Sequence, residues 1–185
     1  KRGVGVATSA GQVLEEFLLP CDGIAYTARS STYTPTAVTA SVDLTDAYAD
    51  VVGSSIAYTP PVGTKIVVYK FVYSFFGAGH AVLHNKLVLG GVTVTNSQQS
   101  IGTQEADPHD YGRLTIEWAF PIGGSANPAT GRLANYSDWS SGLIIKMQAR
   151  RFDATYDASL HGSSLADGGT SNVFSRPLIG IKAIG

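Results

Sequence analysis

His80 and His84 stand four residues apart, the spacing that on a helix aims two imidazoles at one metal ion. They fall in GAGHAVLHNKLVLG, which reads as strand, where residues i and i+4 share a face but lie roughly 13 Å apart at about 3.3 Å per residue. One ion cannot span that gap, and the HExxH pattern is absent, so no metal ligand is expected. Glu105, Asp107 and Asp110 gather around His109, but without the D-x-D-x-D-G alternation of a calcium loop they read as a solvated acidic turn. Asp43, Asp46 and Asp50, in VDLTDAYAD, are expected to satisfy backbone donors where a strand enters a turn. Serines abound, yet none lies in a G-x-S-x-G elbow. The opening GVGVATSAG has neither the preceding strand nor the following helix of a phosphate loop. No catalytic residue and no cofactor are expected from these patterns. The enzymatic reading that survives is a glycan-active one, because a glycosidase needs only two carboxylates brought together in space.

Residues that could bind rather than react lie in the polar stretches. Tyr136 and Trp139, in ANYSDWSSG, suit stacking on a sugar or contact with a protein, and the alternative is a Trp folded back to plug the end of a barrel. Asp107, His109, Tyr136 and Trp139 are therefore the candidate receptor contacts, on loops, where ligand contact usually resides. Trp118 belongs to an alternating strand and is expected in the core. Asn135-Tyr136-Ser137 is a glycosylation sequon in form. Cys21 is the only cysteine, so no intramolecular disulfide forms, and its apolar neighbours Phe17, Leu18 and Leu19 make a buried, unreactive thiol the expectation.

The elements that must hold these residues are strands. Gly and Pro punctuate the chain at short intervals, and no segment keeps a 3.6-residue apolar period over three turns. Strands are predicted over 12–19, 24–28, 36–43, 54–59, 64–76, 82–89, 92–95, 112–121, 142–152 and 173–184. Leu114, Ile116, Trp118 and Phe120 alternate with Arg113, Thr115 and Glu117, and Leu143, Ile145, Met147 and Ala149 alternate with Lys146, Gln148 and Arg150, as half-exposed antiparallel strands do.

Two segments are apolar on both faces. In TKIVVYKFVYSFF one face carries Val67, Tyr69, Phe71, Tyr73 and Phe75, and the other Ile66, Val68, Val72 and Phe76; the C-terminal segment sets Val173, Ile179, Ile181 and Ala183 opposite Phe174, Leu178 and Ile184. A sheet in a two-layer sandwich meets the core with one face only, so the second face must be covered by another layer of the chain or by another subunit. The aromatic stripe matches interface cores, and Val67, Tyr69, Phe71, Tyr73, Phe75, Ile179 and Ile181 are the candidate subunit interface.

Length and composition point the same way. A chain of 185 residues suffices for one full core, and residues 12–185 are expected to form a single domain, with 1–11 as a linker to an upstream or partner segment. The chain starts at Lys1 rather than Met, from which an upstream segment is expected. Only 15% of residues are charged against roughly 25% usually, so partners are expected to cover part of the surface. The net charge of -1, with charges dispersed, gives no electrostatic ground for nucleic acid or an anionic membrane as partner. No apolar run approaches the roughly 20 residues of a membrane-spanning helix.

The segments LEEFLLPCDG, SSIAYTPPVGTKIVVYKF, RLTIEWAFPIGG, ATGRLANYSDW, LIIKMQARRFD and the ending RPLIGIKAIG resemble, from about residue 12 onward, a family of virion structural proteins of phages and large marine viruses. The resemblance implies an all-β antiparallel jelly-roll sandwich of about ten strands, similar to the C1q and tumour necrosis factor heads. It implies a C-terminal fibre or spike head at the particle surface, a homo-oligomer, commonly a trimer, with the terminal strand near the subunit interface. Expected partners are other virion proteins and a host-surface glycan or protein receptor. A capsid decoration or stabilising protein is the alternative role. These motifs are turns and core strands, and they carry over no receptor residue.

Overall fold

The computed structural model describes residues 10–77, 81–102, 110–139, 142–155, 157–163 and 173–185. The strands among them are β1 (Val13–Pro20), β2 (Tyr26–Thr27), β3 (Thr32–Tyr33), β4 (Val42–Asp43), β5 (Ala49–Asp50), β6 (Ile56–Tyr58), β7 (Ile66–Gly77), β8 (Val82–Leu89), β9 (Val92–Gly102), β10 (Asp110–Pro121), β11 (Leu143–Arg151), β12 (Ala158–Leu160), β13 (Gly162–Ser163), β14 (Val173–Phe174) and β15 (Leu178–Ile184), with one 3₁₀ turn at Tyr136–Asp138. The chain is all-β and antiparallel, a sandwich. The excess over about ten strands consists of short ladders such as Thr32–Tyr33 and Gly162–Ser163, which lie in stretches read from the sequence as loop.

One sheet runs β1-β15-β7-β12-β4, with β10 on the other edge of β7; the second runs β5-β11-β8-β9, with β6 also on β11. β7 organises the first sheet. It pairs with β10 from Ile66 to Gly77, and on its opposite edge with β15 over Ile66–Val72 and with β12 over Phe75–Gly77. A strand hydrogen-bonded on both edges and packed on its inner face has little need of polar residues, which explains the nearly continuous apolar run of its sequence.

The inner face of β7 is Val67, Tyr69, Phe71, Tyr73 and Phe75, all buried in the core together with Ile179, Ile181 and Ala183 of β15. They meet Leu83, Leu87, Ile145 and Met147 from the other sheet. The seven residues expected at a subunit interface are thus the centre of the monomer's own core. Tyrosine is tolerated there because each hydroxyl has a partner: Tyr69 donates to the Ser54 carbonyl at 2.6 Å, and Tyr73 accepts from Asn85 Nδ2 at 3.1 Å. Burial holds both phenols above their ordinary pKa.

The opposite face of β7 is partly covered by the chain itself. Near its C-terminal end Gly162 of β13 lies on Phe76 so closely that a Cβ would come within 2.3 Å of the ring, and Ser74 Oγ donates to Ser175 Oγ at 2.9 Å. The remainder, around Val68, carries no layer among the described residues. Of the expected linker 1–11, residues 1–9 lie outside the described residues; Gly11 donates its N–H to the Gly185 carbonyl at 2.7 Å.

A β-bulge between Val13 and Glu15 turns the Glu15 carboxylate inward. There it accepts from Ser30 N (2.7 Å), Ser30 Oγ (2.7 Å) and the Tyr58 hydroxyl (2.9 Å), beside the stacked rings of Phe17 and Tyr33. A buried carboxylate persists only with such a set of donors. Glu15→Ala leaves the Tyr58 hydroxyl and the Ser30 amide unpaired, and urea unfolding is expected to show a loss of about 3 kcal/mol, against about 1 kcal/mol for Tyr58→Phe.

Candidate functional site

The exposed face of the first sheet is built in rows fixed by strand register. Leu18, Gly180, Lys70 and Glu117 lie side by side across β1, β15, β7 and β10; the next row is Glu16, Lys182, Val68 and Ala119. Gly180 is required where it stands, since a Cβ would lie 2.9 Å from both Leu18 Cδ1 and the Phe17 carbonyl oxygen. Leu18, half exposed at 49%, therefore leans over the glycine and walls a groove of about 400 Å³ floored by Val68, Gly180 and Ile184. The charges around it are paired, Lys70 with Glu117 at 3.5 Å and Lys182 with Glu16 at 3.7 Å. Such half-exposed pairs contribute at most about 1 kcal/mol each, but they leave the lining of the groove without net charge.

The turn before β11 differs from its sequence reading. Trp139 is fully buried, with Nε1–H donating to the Tyr58 carbonyl at 2.9 Å and its ring edge-on to Phe120 at 5.8 Å. It plugs the end of the sandwich and presents nothing to a receptor. Tyr136 is half-buried, its hydroxyl tied to the Pro60 carbonyl at 2.6 Å. Asp138, on the same turn, accepts from the Asn135 amide at 2.9 Å and borders a second groove of about 260 Å³ lined by Leu89, Val92, Leu133 and Arg132. Asp107 and His109 lie outside the described residues, as does His80.

The three aspartates of VDLTDAYAD hold side chains rather than backbone. Asp43 accepts from Ser159 Oγ at 2.6 Å, Asp46 from Arg151 Nε at 2.7 Å, and Asp50 from Lys146 Nζ and Gln148 Nε2 at 2.6 and 2.9 Å. Those bonds hold Asp50 below its ordinary pKa. Cys21 is buried with its thiol on the Gly53 carbonyl, and burial, reinforced by Asp22, pushes its pKa up to about 12, so it is no nucleophile at neutral pH. His84 Nδ1 and Ser100 Oγ are 2.7 Å apart, the distance of a base and a nucleophile, but the pair lies on an outer sheet face and no hydrogen-bond partner meets Nε2 among the described residues. Those residues contain no cluster fit to hold a metal ion.

Among the described residues His161 is the fully buried histidine. It holds a left-handed φ of 63°, lies edge-on to Phe71 at 6.1 Å, sets Nε2 against the Val52 carbonyl at 3.1 Å, and leaves Nδ1 without a partner. Burial drives its pKa down to about 4. The folded state therefore keeps the ring neutral while the unfolded chain takes up a proton near 6.5. Stability is full above about pH 6.5 and falls as pH drops toward 4, by up to about 3 kcal/mol. His84, lowered by burial and then by Arg150, adds in the same direction.

Two measurements check these assignments. Urea midpoints taken between pH 7.5 and 4 should decline in the native protein and flatten in His161→Asn, a replacement that tolerates the left-handed backbone. Trp139→Ala should cost about 4 kcal/mol of stability, read by thermal or urea unfolding, as expected of a core plug and not of a loop contact. The chain matches no known family model, and no curated protein matches it.

Proposed function

We propose that this chain is the oligomeric head of a virion fibre or spike, a homotrimer that associates through the outer face of the first sheet and meets a host surface with the remainder. One observation carries the assembly part of this reading: Leu18, Val68, Gly180 and Ile184, from three neighbouring rows, line a charge-balanced groove on an otherwise complete sandwich. Burying it against a copy of the chain would remove Leu18 and its neighbours from water at about 25 cal/mol per Å². Supporting the jelly-roll head, the order β1-β15-β7-β10 faces the order β5/β6-β11-β8-β9, so that β1 and β15 are neighbours and the chain crosses between the layers from β6 to β7, β7 to β8, β9 to β10, β10 to β11 and β11 to β12. The virion context comes from the sequence resemblance.

Light scattering of the purified chain at micromolar concentration is expected to give three times the monomer mass, and a stable monomer overturns the assembly reading. Val68→Lys should weaken association at least about tenfold while β-type circular dichroism is retained, because its side chain lies outside the core. Tyr73→Lys should instead abolish folding, since it places a charge in the centre of the sandwich. Imaging of the particle places the chain either on fibres or spikes, as proposed, or in a regular array over the capsid, which would assign it to decoration.

A further inference from the structure

On the outer face of the second sheet the cations are unequally served. Lys146 pairs there with Asp50 at 2.6 Å, while Arg151, of the opposite parity at the end of β11, pairs with Asp46 at 2.7 Å and lies 3.7 Å from Asp157. Lys86 and Arg150 have no carboxylate partner among the described residues. Register sets them in one block: Lys86 of β8 lies opposite Gln148 of β11, and His84 opposite Arg150. The block measures roughly 7 Å along the strands and 5 Å across them. Tyr48 joins the two cations, with Lys86 Nζ 4.4 Å and the Arg150 guanidinium 5.5 Å from the ring centroid. Apart from the Tyr48 ring, Arg150 is held by main chain, donating to the Arg151 carbonyl at 3.1 Å, so it is positioned without being neutralised. At the edge of the block the Phe152 ring is 56% exposed and lies 5.7 Å from the His84 ring.

We infer that this block binds an anionic saccharide, with the carboxylate or sulfate of one sugar unit received between Lys86 and Arg150 and an apolar sugar face laid against Phe152. Two positioned, unneutralised cations within about 10 Å of each other supply a charge-assisted clamp. An exposed ring beside them supplies a flat apolar surface, and Gln148 lies on the same face for hydroxyl groups. Nucleic acid fits less well, because its affinity comes from neutralising many phosphates and only two cations of this face are uncommitted. The two sheets then divide the work: the neutral groove faces copies of the chain, and the cationic block faces outward. This assignment rests on the attachment reading for its biological use. The binding test below reads polymer affinity while the assembly test reads mass, so either can fail while the other stands.

The probes are dextran sulfate, polygalacturonate, unsubstituted dextran and a single-stranded DNA oligomer, titrated against the whole chain at 50 and 200 mM salt. Dextran sulfate or polygalacturonate should bind, the better of the two identifying sulfate or carboxylate as the preferred group, and unsubstituted dextran should not. Lys86→Gln/Arg150→Gln should weaken binding about tenfold or more. Lys65→Gln/Arg113→Gln removes the same charge from exposed positions at the other sheet, one just before β7 and one on β10, and should change binding less than about twofold. Thermal unfolding of both pairs confirms that the fold is intact. The proposal is overturned by absence of binding to either acidic polymer, by equal effects of the two double variants, or by DNA binding tighter than both acidic polymers.

Discussion

The structure depends on the position of β7, a strand with hydrogen-bonded neighbours along both edges and a packed layer beneath it. Every register in the first sheet is referred to it. Because side chains alternate with a period of two, a slip of one residue against β10 or β15 would turn Tyr69, Phe71 and Tyr73 out to water and bring Lys70 into the core. Phenol hydroxyls strengthen this specification. Tyr69 must reach the Ser54 carbonyl and Tyr73 must meet Asn85, which ties the first sheet to the second at fixed points, where a purely aliphatic core would be indifferent to small shifts.

The same alternation separates what the sequence allowed to be read from what it did not. That the chain is an all-β sandwich followed directly from its turn residues and short apolar runs, and the alternating strands around Trp118 and Met147 lie where they were expected. The assignment of faces on β7 went the other way, and the signal was present. Lys70 shares parity with Ile66, Val68 and Val72, and Lys182 with Leu178 and Ile184, so a single lysine on each strand marks the outer face. A count of apolar residues hides this, because the aromatic face is richer and resembles an interface. In a sandwich the richest face belongs to the core.

Other features were not legible from local pattern. β9 continues through NSQQSIG, beyond the predicted 92–95, with few apolar residues because it is an edge strand with little to bury beyond Val94 and Ser97. Ser97 is buried through its hydroxyl, which accepts from the Leu87 amide and donates to the Val94 carbonyl, a local bridge across a bulge. Trp139 sits in a polar turn, and only the path of the chain across the end of the sandwich brings it onto Phe120 and the Tyr58 carbonyl. Glu15 is turned inward by the irregularity at Leu14, which no local pattern announces. The burial of Trp139 and of Glu15 depends on contacts between residues far apart in sequence.

The place of β15 has a kinetic consequence. It lies between β1, near the start of the domain, and β7, pairing Val13 with Ile184 and Phe71 with Ile179. Until that last strand docks, β1 has no partner in its sheet and one edge of β7 stands open over most of its length. Loop-closure entropy for so distant a pairing must be met before its hydrogen bonds form, which places this domain among slow folders. A nascent chain on the ribosome would carry the apolar edge of Val67 to Val72 uncovered until residues 178–184 emerge, and that edge is where chaperone capture or misassembly between neighbouring chains would begin.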